Sequence, residues 1–277
     1  MIRRVFRPES LERLWPLLAD GARAMAGGTD LLVRREGQAP MDVALLEGIA
    51  ELAGIAEEQG LVRLGALASH SSLAAHGLVR ERLPVLAQAL STLGSPLVRN
   101  MGTLGGNIAT ASPAGDTLPP LYALDALVEL ASQDGRRRMP LGDMILGPGR
   151  TALSPGEIVA AVLVRPPAAD ARQHFEKVGR RGALAIAVAS LAAVISRDAD
   201  GRVREARLAV GSVGPTVLRC PAAEAALTGQ LLTQDVLQEA AGRIRAAVLP
   251  IDDLRATAAY RRQVAGNLLL RLAAREA

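Results

Sequence analysis

Cysteine, lysine and aromatic residues are scarce in this sequence. The single cysteine, Cys220, excludes an intrachain disulfide and an iron–sulfur cluster held by this chain alone, because such clusters take about four ligands. Only three histidines accompany it, so we expect no metal site and assign His70 and His76 to capping or core roles. Aromatic residues make up 2% of the 277 residues, so Ala, Leu and Val have to build the core.

Long apolar runs and a targeting segment are also missing. No apolar run reaches the ~18 residues that a membrane span needs, and the nearest candidate, 184–195, is too short. The first ten residues, MIRRVFRPES, contain no apolar core of a signal peptide. We therefore expect a cytoplasmic protein without a membrane span, and the length suits two domains.

Positive charge comes almost entirely from arginine. The net charge is +4, and Lys177 is the only lysine. The arginines are scattered, and no basic stripe is interleaved with aromatic residues, so we expect no nucleic-acid partner. The run at 136–138 follows Asp134-Gly135 between two apolar segments, which predicts a solvated hairpin turn.

Two segments of small residues contain adjacent glycines. One is Thr103–Asp116, TLGGNIATASPAGD, and the other is Ala26–Asp30, AGGTD, after a predicted short strand at 22–26. Either Gly-Gly pair alone is typical of an ordinary turn, but a long loop of uniformly small residues favours a functional role. Exposed backbone N–H groups with short hydroxyl side chains bind a diphosphate group, so we predict two walls of one diphosphate cradle. The predicted main-chain donors are Gly27, Gly28, Thr29, Gly105, Gly106 and Asn107.

A third glycine segment, Gly147–Ala152, formally fits the G-x-G-x-x-A pattern of dinucleotide-binding folds. That pattern has to open a helix within a βαβ unit. Ser154-Pro155-Gly156 follows at once, so we expect no helix here and no nicotinamide-type Rossmann domain. No nucleophile–base pair is evident, which favours the chemistry of a bound cofactor over hydrolysis.

These segments resemble motifs of the FAD-binding (medium) subunit of molybdenum hydroxylases, the family of xanthine dehydrogenase and aerobic carbon monoxide dehydrogenase. AGGTDLL and TLGGNIATASPAGD resemble the two flavin-binding motifs of that family. Three later segments agree with it in the same order: 151–158 with its Pro-Gly-Glu turn, 175–178 followed by two arginines, and 253–262. The similarity runs over nearly the whole chain.

The resemblance implies a set of FAD-binding residues and no catalytic residue of the chain's own. Asp116 is implied to contact the ribityl or ring portion of FAD, and capping of a following helix is its alternative role. Lys177 is implied to lie near the N1–C2=O edge of the flavin, where a cation stabilises the reduced ring, and its alternative is an ordinary surface position. Val159 matches a position that meets the flavin, and Phe175 either lies against the flavin ring or packs in the core. The implied set is Met25, Ala26, Gly27, Gly28, Thr29, Asp30, Leu31, Leu93, Thr103, Gly105, Gly106, Asn107, Ser112, Asp116, Val159 and Lys177.

The resemblance also implies the fold, which is α+β (mixed α/β). A two-lobed FAD-binding domain is expected at 1–168, with lobes of about 1–56 and 57–168. An α+β C-terminal domain with a small antiparallel sheet and helices is expected at 169–277. Pro166-Pro167 marks the boundary between the two domains.

Periodicity and turn residues predict the individual elements. The predicted helices are 11–18 with Ser10 as cap, 72–76, 83–91, 118–124, 233–248 and 255–272. The predicted strands are 42–45, 61–64, 127–131 paired with 138–141, 158–165, 175–178 and 203–210. The apolar run 184–195 fits a helix and a strand equally well.

The function that the resemblance implies is electron transfer within a complex. A large molybdopterin subunit would oxidise the substrate, and a small [2Fe–2S] subunit would pass electrons to FAD on this chain, which would reduce NAD+, a quinone or oxygen. The expected assembly is a dimer of heterotrimers. A stand-alone FAD reductase or oxidase is one alternative, and a non-catalytic scaffold subunit with a degenerate flavin site is another. A nucleotide sensor would keep both glycine loops but would contain no reducible flavin.

Overall fold

The N-terminal part of the chain forms a small parallel sheet. A computed structural model describes residues 2–33, 39–182 and 184–273. The elements here are β1 (Ile2–Phe6), α1 (Leu11–Ala19), β2 (Arg23–Met25) and β3 (Met41–Leu45). The strand order is β1-β3-β2, and both pairings are parallel. The hydroxyl of Ser10 accepts the N–H of Arg13, which confirms the predicted cap of α1.

A mixed segment follows, in which several short helices lie between the strands of an antiparallel sheet. Its elements are β4 (Ile55–Glu58), β5 (Leu61–Gly65), α2 (His70–Ala75), α3 (Gly77–Arg82), α4 (Pro84–Thr92), α5 (Pro96–Met101), α6 (Leu104–Thr110), α7 (Leu118–Ala123), β6 (Leu127–Ser132), β7 (Gly135–Pro140), α8 (Leu141–Met144), β8 (Ile145–Gly147), β9 (Arg150–Thr151) and β10 (Ile158–Val164). The sheet order is β4-β5-β10-β6-β7. The pairing of β6 with β7 confirms the predicted hairpin. The prediction that the arginine run 136–138 forms its turn is wrong, because these residues lie in β7 and the turn is at 133–134.

The C-terminal part is a second antiparallel sheet with helices on one face. Its elements are β11 (Arg172–Val178), β12 (Ala189–Arg197), β13 (Val203–Gly211), β14 (Leu218–Arg219), α9 (Pro221–Leu227), α10 (Gln234–Ala247) and α11 (Ala258–Leu270). The strand order is β11-β12-β13-β14. The mixed α+β fold predicted for the chain is therefore confirmed. Among the described residues, no helix is both long and apolar enough to cross a membrane.

The run 184–195, which fitted a helix or a strand, ends within strand β12, which begins at Ala189. Alternate residues of β12 face opposite sides, because successive side chains of a strand point to opposite faces. Leu191 and Ile195 pack in the core below α9, α10 and α11, while Ala192 and Val194 pack in the core that contains α4 and α7. Both faces are buried, so the strand lacks the polar alternation that would have revealed it.

The structure contradicts the prediction for one glycine segment and confirms it for another. The prediction that Thr103–Asp116 is wholly a loop is wrong, because residues 104–110 form α6. The Thr103 side chain caps this helix by accepting the N–H of Gly106 at 3.2 Å. By contrast, Gly147–Ala152 forms the β8–β9 hairpin, which confirms that it opens no helix.

Candidate functional site

A cleft of about 1150 Å³ lies between the glycine loop after β2, the α6 region and three segments of the C-terminal part. All but three of the predicted cofactor-binding residues line it. The exceptions are Gly105, Val159 and Lys177. The cleft therefore brings together two distant segments of the sequence that were singled out for the same ligand.

The glycine loop after β2 passes very close to the end of α5. A Cβ atom on Gly27 would stand 1.6 Å from the carbonyl oxygen of Met101, so only glycine fits this crossing. Gly28 has φ 68°, in the left-handed region that glycine adopts without strain. Among the described residues, the N–H groups of Gly27, Gly28 and Thr29 make no hydrogen bond. Three consecutive backbone donors are therefore free for an anionic group in the cleft.

The second predicted wall does not supply main-chain donors as expected. The N–H of Gly105 donates to Ala66 O at 2.9 Å, that of Gly106 to Thr103 Oγ1, and that of Asn107 to Thr103 O at 3.0 Å. Because α6 and its cap use these groups, the prediction of free donors at Gly105, Gly106 and Asn107 is wrong. Gly105 is buried and serves packing, since a Cβ there would stand 2.6 Å from the Cβ of Ala66.

Side chains of the α6 region face the cleft instead. Asn107 accepts a hydrogen bond from the Thr117 hydroxyl at 2.6 Å on its Oδ1, and within the described chain its amide nitrogen makes none. Ser112 and Thr103 add hydroxyl groups to the same lining. Thr110 donates to Asp30 at 3.1 Å and so ties the end of α6 to the first glycine loop. Polar side chains rather than backbone groups thus form this wall.

Asp116 and Lys177 form an ion pair behind the cleft surface. Lys177 Nζ lies 2.5 Å from Asp116 Oδ2 and 3.1 Å from the carbonyl oxygen of Ala185, and each charged side chain is 8% exposed. The surface alternative for Lys177 is therefore wrong. The capping alternative for Asp116 is also wrong, because Thr117 is the N-cap of α7. Burial raises the pKa of Asp116, and the Lys177 ammonium opposes that rise.

Lys177 does not line the cleft itself, and its ion-pair partner Asp116 does. Asp116 Oδ1 is buried and has no hydrogen-bond partner in the described structure. The implied position of Lys177 at the flavin edge stays a prediction, and in this structure Asp116 lies between Lys177 and the cleft.

Val159 and Phe175 pack in the core rather than in the cleft. Val159 lies in the five-stranded sheet, where it pairs with Leu130 of β6, and every residue of its strand β10 is buried. Val159 does not line the cleft, and its implied flavin contact stays a prediction. Phe175 packs in the same core, so the core alternative holds for it.

Several cleft residues were not predicted from the sequence. His70, the first residue of α2, lines the cleft and is 3% exposed, and burial lowers its pKa to about 4. It is therefore neutral at pH 7. The C-terminal wall contributes Ile186, Ser212, Ile251, Arg255 and Arg261. No local motif pointed to this wall, since its segments come together only in the folded chain.

Fold and cleft together define a flavoprotein with an additional C-terminal domain, and comparisons with known proteins agree. The family model described as "FAD binding domain in molybdopterin dehydrogenase" matches residues 1–167, and that described as "CO dehydrogenase flavoprotein C-terminal domain" matches residues 173–275. The chain belongs to the family of FAD-binding subunits of molybdenum hydroxylases, and it is a subunit of oxidoreductase type that binds FAD.

Individual relatives are similar over most of their length. The carbon monoxide dehydrogenase medium chain of Hydrogenophaga pseudoflava is 33% identical over 92% of this chain and 88% of its own. The xanthine dehydrogenase FAD-binding subunit of Escherichia coli O157:H7 is 31% identical over 88% and 86%. A solved carbon monoxide dehydrogenase from Hydrogenophaga pseudoflava superposes with a TM-score of 0.93 at 35% identity, covering 98% of this chain and 96% of that one.

The cleft residues fit FAD. The volume of about 1150 Å³ exceeds the ~300–1,000 Å³ of typical small-molecule pockets, as an extended dinucleotide requires. The free N–H groups of Gly27, Gly28 and Thr29 suit a diphosphate, and hydroxyl and amide side chains across the cleft can bind the sugar-alcohol chain. Once bound, FAD supplies the redox chemistry, and the chain supplies binding, orientation and electrostatics.

Proposed function

We propose that this chain holds FAD in the cleft and relays electrons within a molybdenum hydroxylase complex. Electrons would arrive from [2Fe–2S] clusters on a small partner subunit and leave to NAD+, a quinone or oxygen. A large molybdopterin subunit would oxidise the organic substrate, in a dimer of heterotrimers. The observation that carries the proposal is the cleft itself, where unpaired backbone donors face hydroxyl and amide side chains.

The division of the chain supports the same proposal. We propose an FAD-binding domain at 1–168, with lobes of about 1–56 and 57–168, and a C-terminal domain at 169–277. The parallel sheet falls within the first lobe, the five-stranded sheet lies within the second apart from the start of β4, and the β11–β14 sheet within the C-terminal domain. The cleft lies where these parts meet, which is a common place for cofactor sites.

An exposed apolar rim beside the cleft supports a protein partner. We define the cleft rim as Leu184, Ile186, Leu249, Ile251 and Leu254. Leu254 is 96% exposed, Leu249 73% and Ile251 72%, while Ile186, Leu249 and Ile251 also line the cleft. An apolar patch with this exposure is typical of a protein interface. We propose that the small [2Fe–2S] subunit docks on this rim, because electron transfer requires the donor centre to approach the flavin closely.

Purification of the tagged chain from its own cells tests the assembly. We expect FAD, iron and molybdenum to co-purify in a constant ratio across the peak of a sizing column. Leu254→Glu should retain FAD but lose at least 90% of the iron and molybdenum, because a charge would be buried at the interface. Leu231→Glu, an exposed leucine outside the cleft lining, is the matched control and should keep both metals.

The alternatives predict different outcomes of that purification. A stand-alone reductase or oxidase would contain reducible FAD but neither metal, and a scaffold subunit would contain both metals but no FAD. Either result would overturn the proposal. If the complex forms, reduction by dithionite without oxygen, followed by NAD+, a soluble quinone or oxygen in turn, identifies the acceptor that reoxidises the flavin.

A further inference from the structure

One buried arginine joins the three segments that form the C-terminal wall of the cleft. These segments are the stretch before β12, the loop after β13 and the loop between α10 and α11, and each contributes residues to the cleft lining. Arg261 lies in the first turns of α11 and is 3% exposed. It contacts all three segments.

The hydrogen bonds of Arg261 are specific to each segment. Nη1 donates to the carbonyl oxygens of Val188 at 2.8 Å and Ser212 at 3.0 Å. Nη2 donates to Asp253 Oδ1 at 2.6 Å. The planar guanidinium directs several donors at fixed angles, which a lysine ammonium on a flexible stem cannot do. The side chain therefore links all three segments at one point, whereas the backbone hydrogen bond from the N–H of Leu249 to the carbonyl oxygen of Val213, at 3.0 Å, joins only two of them.

Asp253 extends the arrangement to the loop between α10 and α11. Its carboxylate also accepts the backbone N–H of Arg255 at 2.8 Å and that of Ala256 at 3.2 Å, and the Arg255 side chain at 2.9 Å. This loop carries Ile251 and Arg255 into the cleft lining. Its conformation thus depends on the same ion pair that holds Arg261.

Ser212 extends the arrangement across the cleft to the FAD-binding part. Its backbone N–H donates to the carbonyl oxygen of Pro113 at 3.0 Å, while its own carbonyl oxygen accepts from Arg261. Ser212 has φ 64°, in the left-handed region that is costly for a residue other than glycine. Such a conformation persists only where the surroundings hold it on both sides, as Pro113 and Arg261 do here.

We propose that Arg261 is a positioning residue for FAD, which sets the C-terminal wall of the cleft against the Ser112–Gly115 segment. This inference rests on the proposed function, because it requires FAD to lie in this cleft. Loss of the arginine would leave the wall displaced or mobile. FAD would then bind more weakly, and solvent would reach the flavin more easily.

Arg261→Lys tests the inference by titration with FAD and by iodide quenching of the flavin fluorescence at saturating FAD. We expect FAD affinity to fall at least tenfold and quenching by iodide to increase. Arg262→Lys is the matched control, since Arg262 is the exposed neighbour on the same helix, and it should change neither quantity. Asp253→Asn, which keeps an acceptor oxygen, should give the same changes to a smaller extent and serves if Arg261→Lys does not fold.

A lower unfolding temperature with unchanged FAD affinity and unchanged quenching would overturn the inference and leave Arg261 a structural residue only. That result would not affect the proposed function, which fails instead if the wild-type chain binds no FAD. The two failures are therefore distinguishable in one set of titrations.

Discussion

At the residue scale, the Asp116–Lys177 ion pair lies directly behind the cleft surface. Both side chains are nearly buried, and Lys177 is the only lysine of the chain. Removal of one member of a buried pair leaves an uncompensated charge in a low-dielectric environment, which costs more than the pair itself contributes. The pair thus fixes the end of the 103–116 segment to β11.

Replacing Lys177 with methionine should lower the free energy of unfolding by about 3 kcal/mol, because Asp116 would be left buried without its partner. The measurement is urea unfolding of the FAD-free chain. The double variant Asp116→Asn/Lys177→Met should recover at least half of that loss, since neither charge remains. Equal destabilisation by the double and single variants would contradict this account of the pair.

Single residues differ in how far the sequence predicts their roles. Gly27 belongs to a local motif, so the sequence indicated its place in the site. The close approach of Met101, which requires glycine there, is not contained in that motif. Gly105 has the same local appearance but packs on Ala66, and Val159 is covered within its sheet. Their roles depend on neighbours from distant parts of the chain, which a motif does not contain.

At the element scale, the turn before β10 is fixed by one carboxylate. Glu157 accepts two hydrogen bonds from Arg137 of β7, at 2.6 Å and 2.8 Å, and the backbone N–H of Ser154 at 2.7 Å. These donors lower the pKa of Glu157 to about 2 from an ordinary value of 4.5. The bridge joins β7 to β10 across the intervening strand β6.

The lowered pKa predicts how stability depends on pH. The folded pKa of Glu157 lies below the unfolded one, so its contribution is present above pH 4.5 and is lost as pH falls towards 2. The free energy of unfolding of the wild type should fall as pH decreases from 4.5 to 2. In Glu157→Gln we expect that fall to be smaller by about 1–2 kcal/mol, measured by urea unfolding at successive pH values. The pKa of Asp253 is also lowered to about 2, so Asp253 contributes to the same loss of stability at low pH, and the Glu157→Gln variant keeps that contribution.

The control for this measurement is Glu58→Gln. Glu58 is exposed on β4 and makes no ion pair with any described residue. Its variant should follow the wild-type pH profile. A Glu157→Gln profile identical to that of the wild type between pH 5 and 2 would show that the turn does not depend on this ion pair.

The success of prediction at this scale follows from how each element is stabilised. Amphipathic helices such as α10 and local hairpins such as β6–β7 were predicted because their signals are contained in adjacent residues. Helix α6 was missed because its glycines are poor helix formers and its stability comes from the Thr103 cap and packing on Ala66. Strand β12 stayed ambiguous because both of its faces are buried.

At the scale of the whole molecule, the C-terminal part is firmly attached to the rest of the chain. Phe175, Ala192 and Val194 share a continuous apolar core with residues of α4 and α7. The Gln88 and Gln173 side chains add hydrogen bonds between the two parts, to the backbone groups of Phe175, Val85 and Gln173. A shared apolar core of this kind opposes relative motion of the two parts.

The ordered set of motifs predicted this arrangement of parts, but not the composition of the cleft. The resemblance implied which segments surround the ligand, and most of the residues it implied do line the cleft. It gave no indication of the wall formed around Arg261, because that wall is assembled from three loops whose sequences carry no binding motif. The site is therefore better predicted on the FAD-binding side than on the C-terminal side.

The central claim, that FAD lies on the Gly27–Thr29 loop of this cleft, is tested most directly by titrating the FAD-free chain with FAD and following visible absorption. Gly27→Ala places a Cβ against Met101 O and should weaken binding at least tenfold. Gly242→Ala is the control, since that glycine lies in α10 with open space around it and alanine favours a helix. The account predicts one FAD per chain for the wild type and Gly242→Ala, with the tenfold loss confined to Gly27→Ala. Equal affinity of all three chains would contradict it.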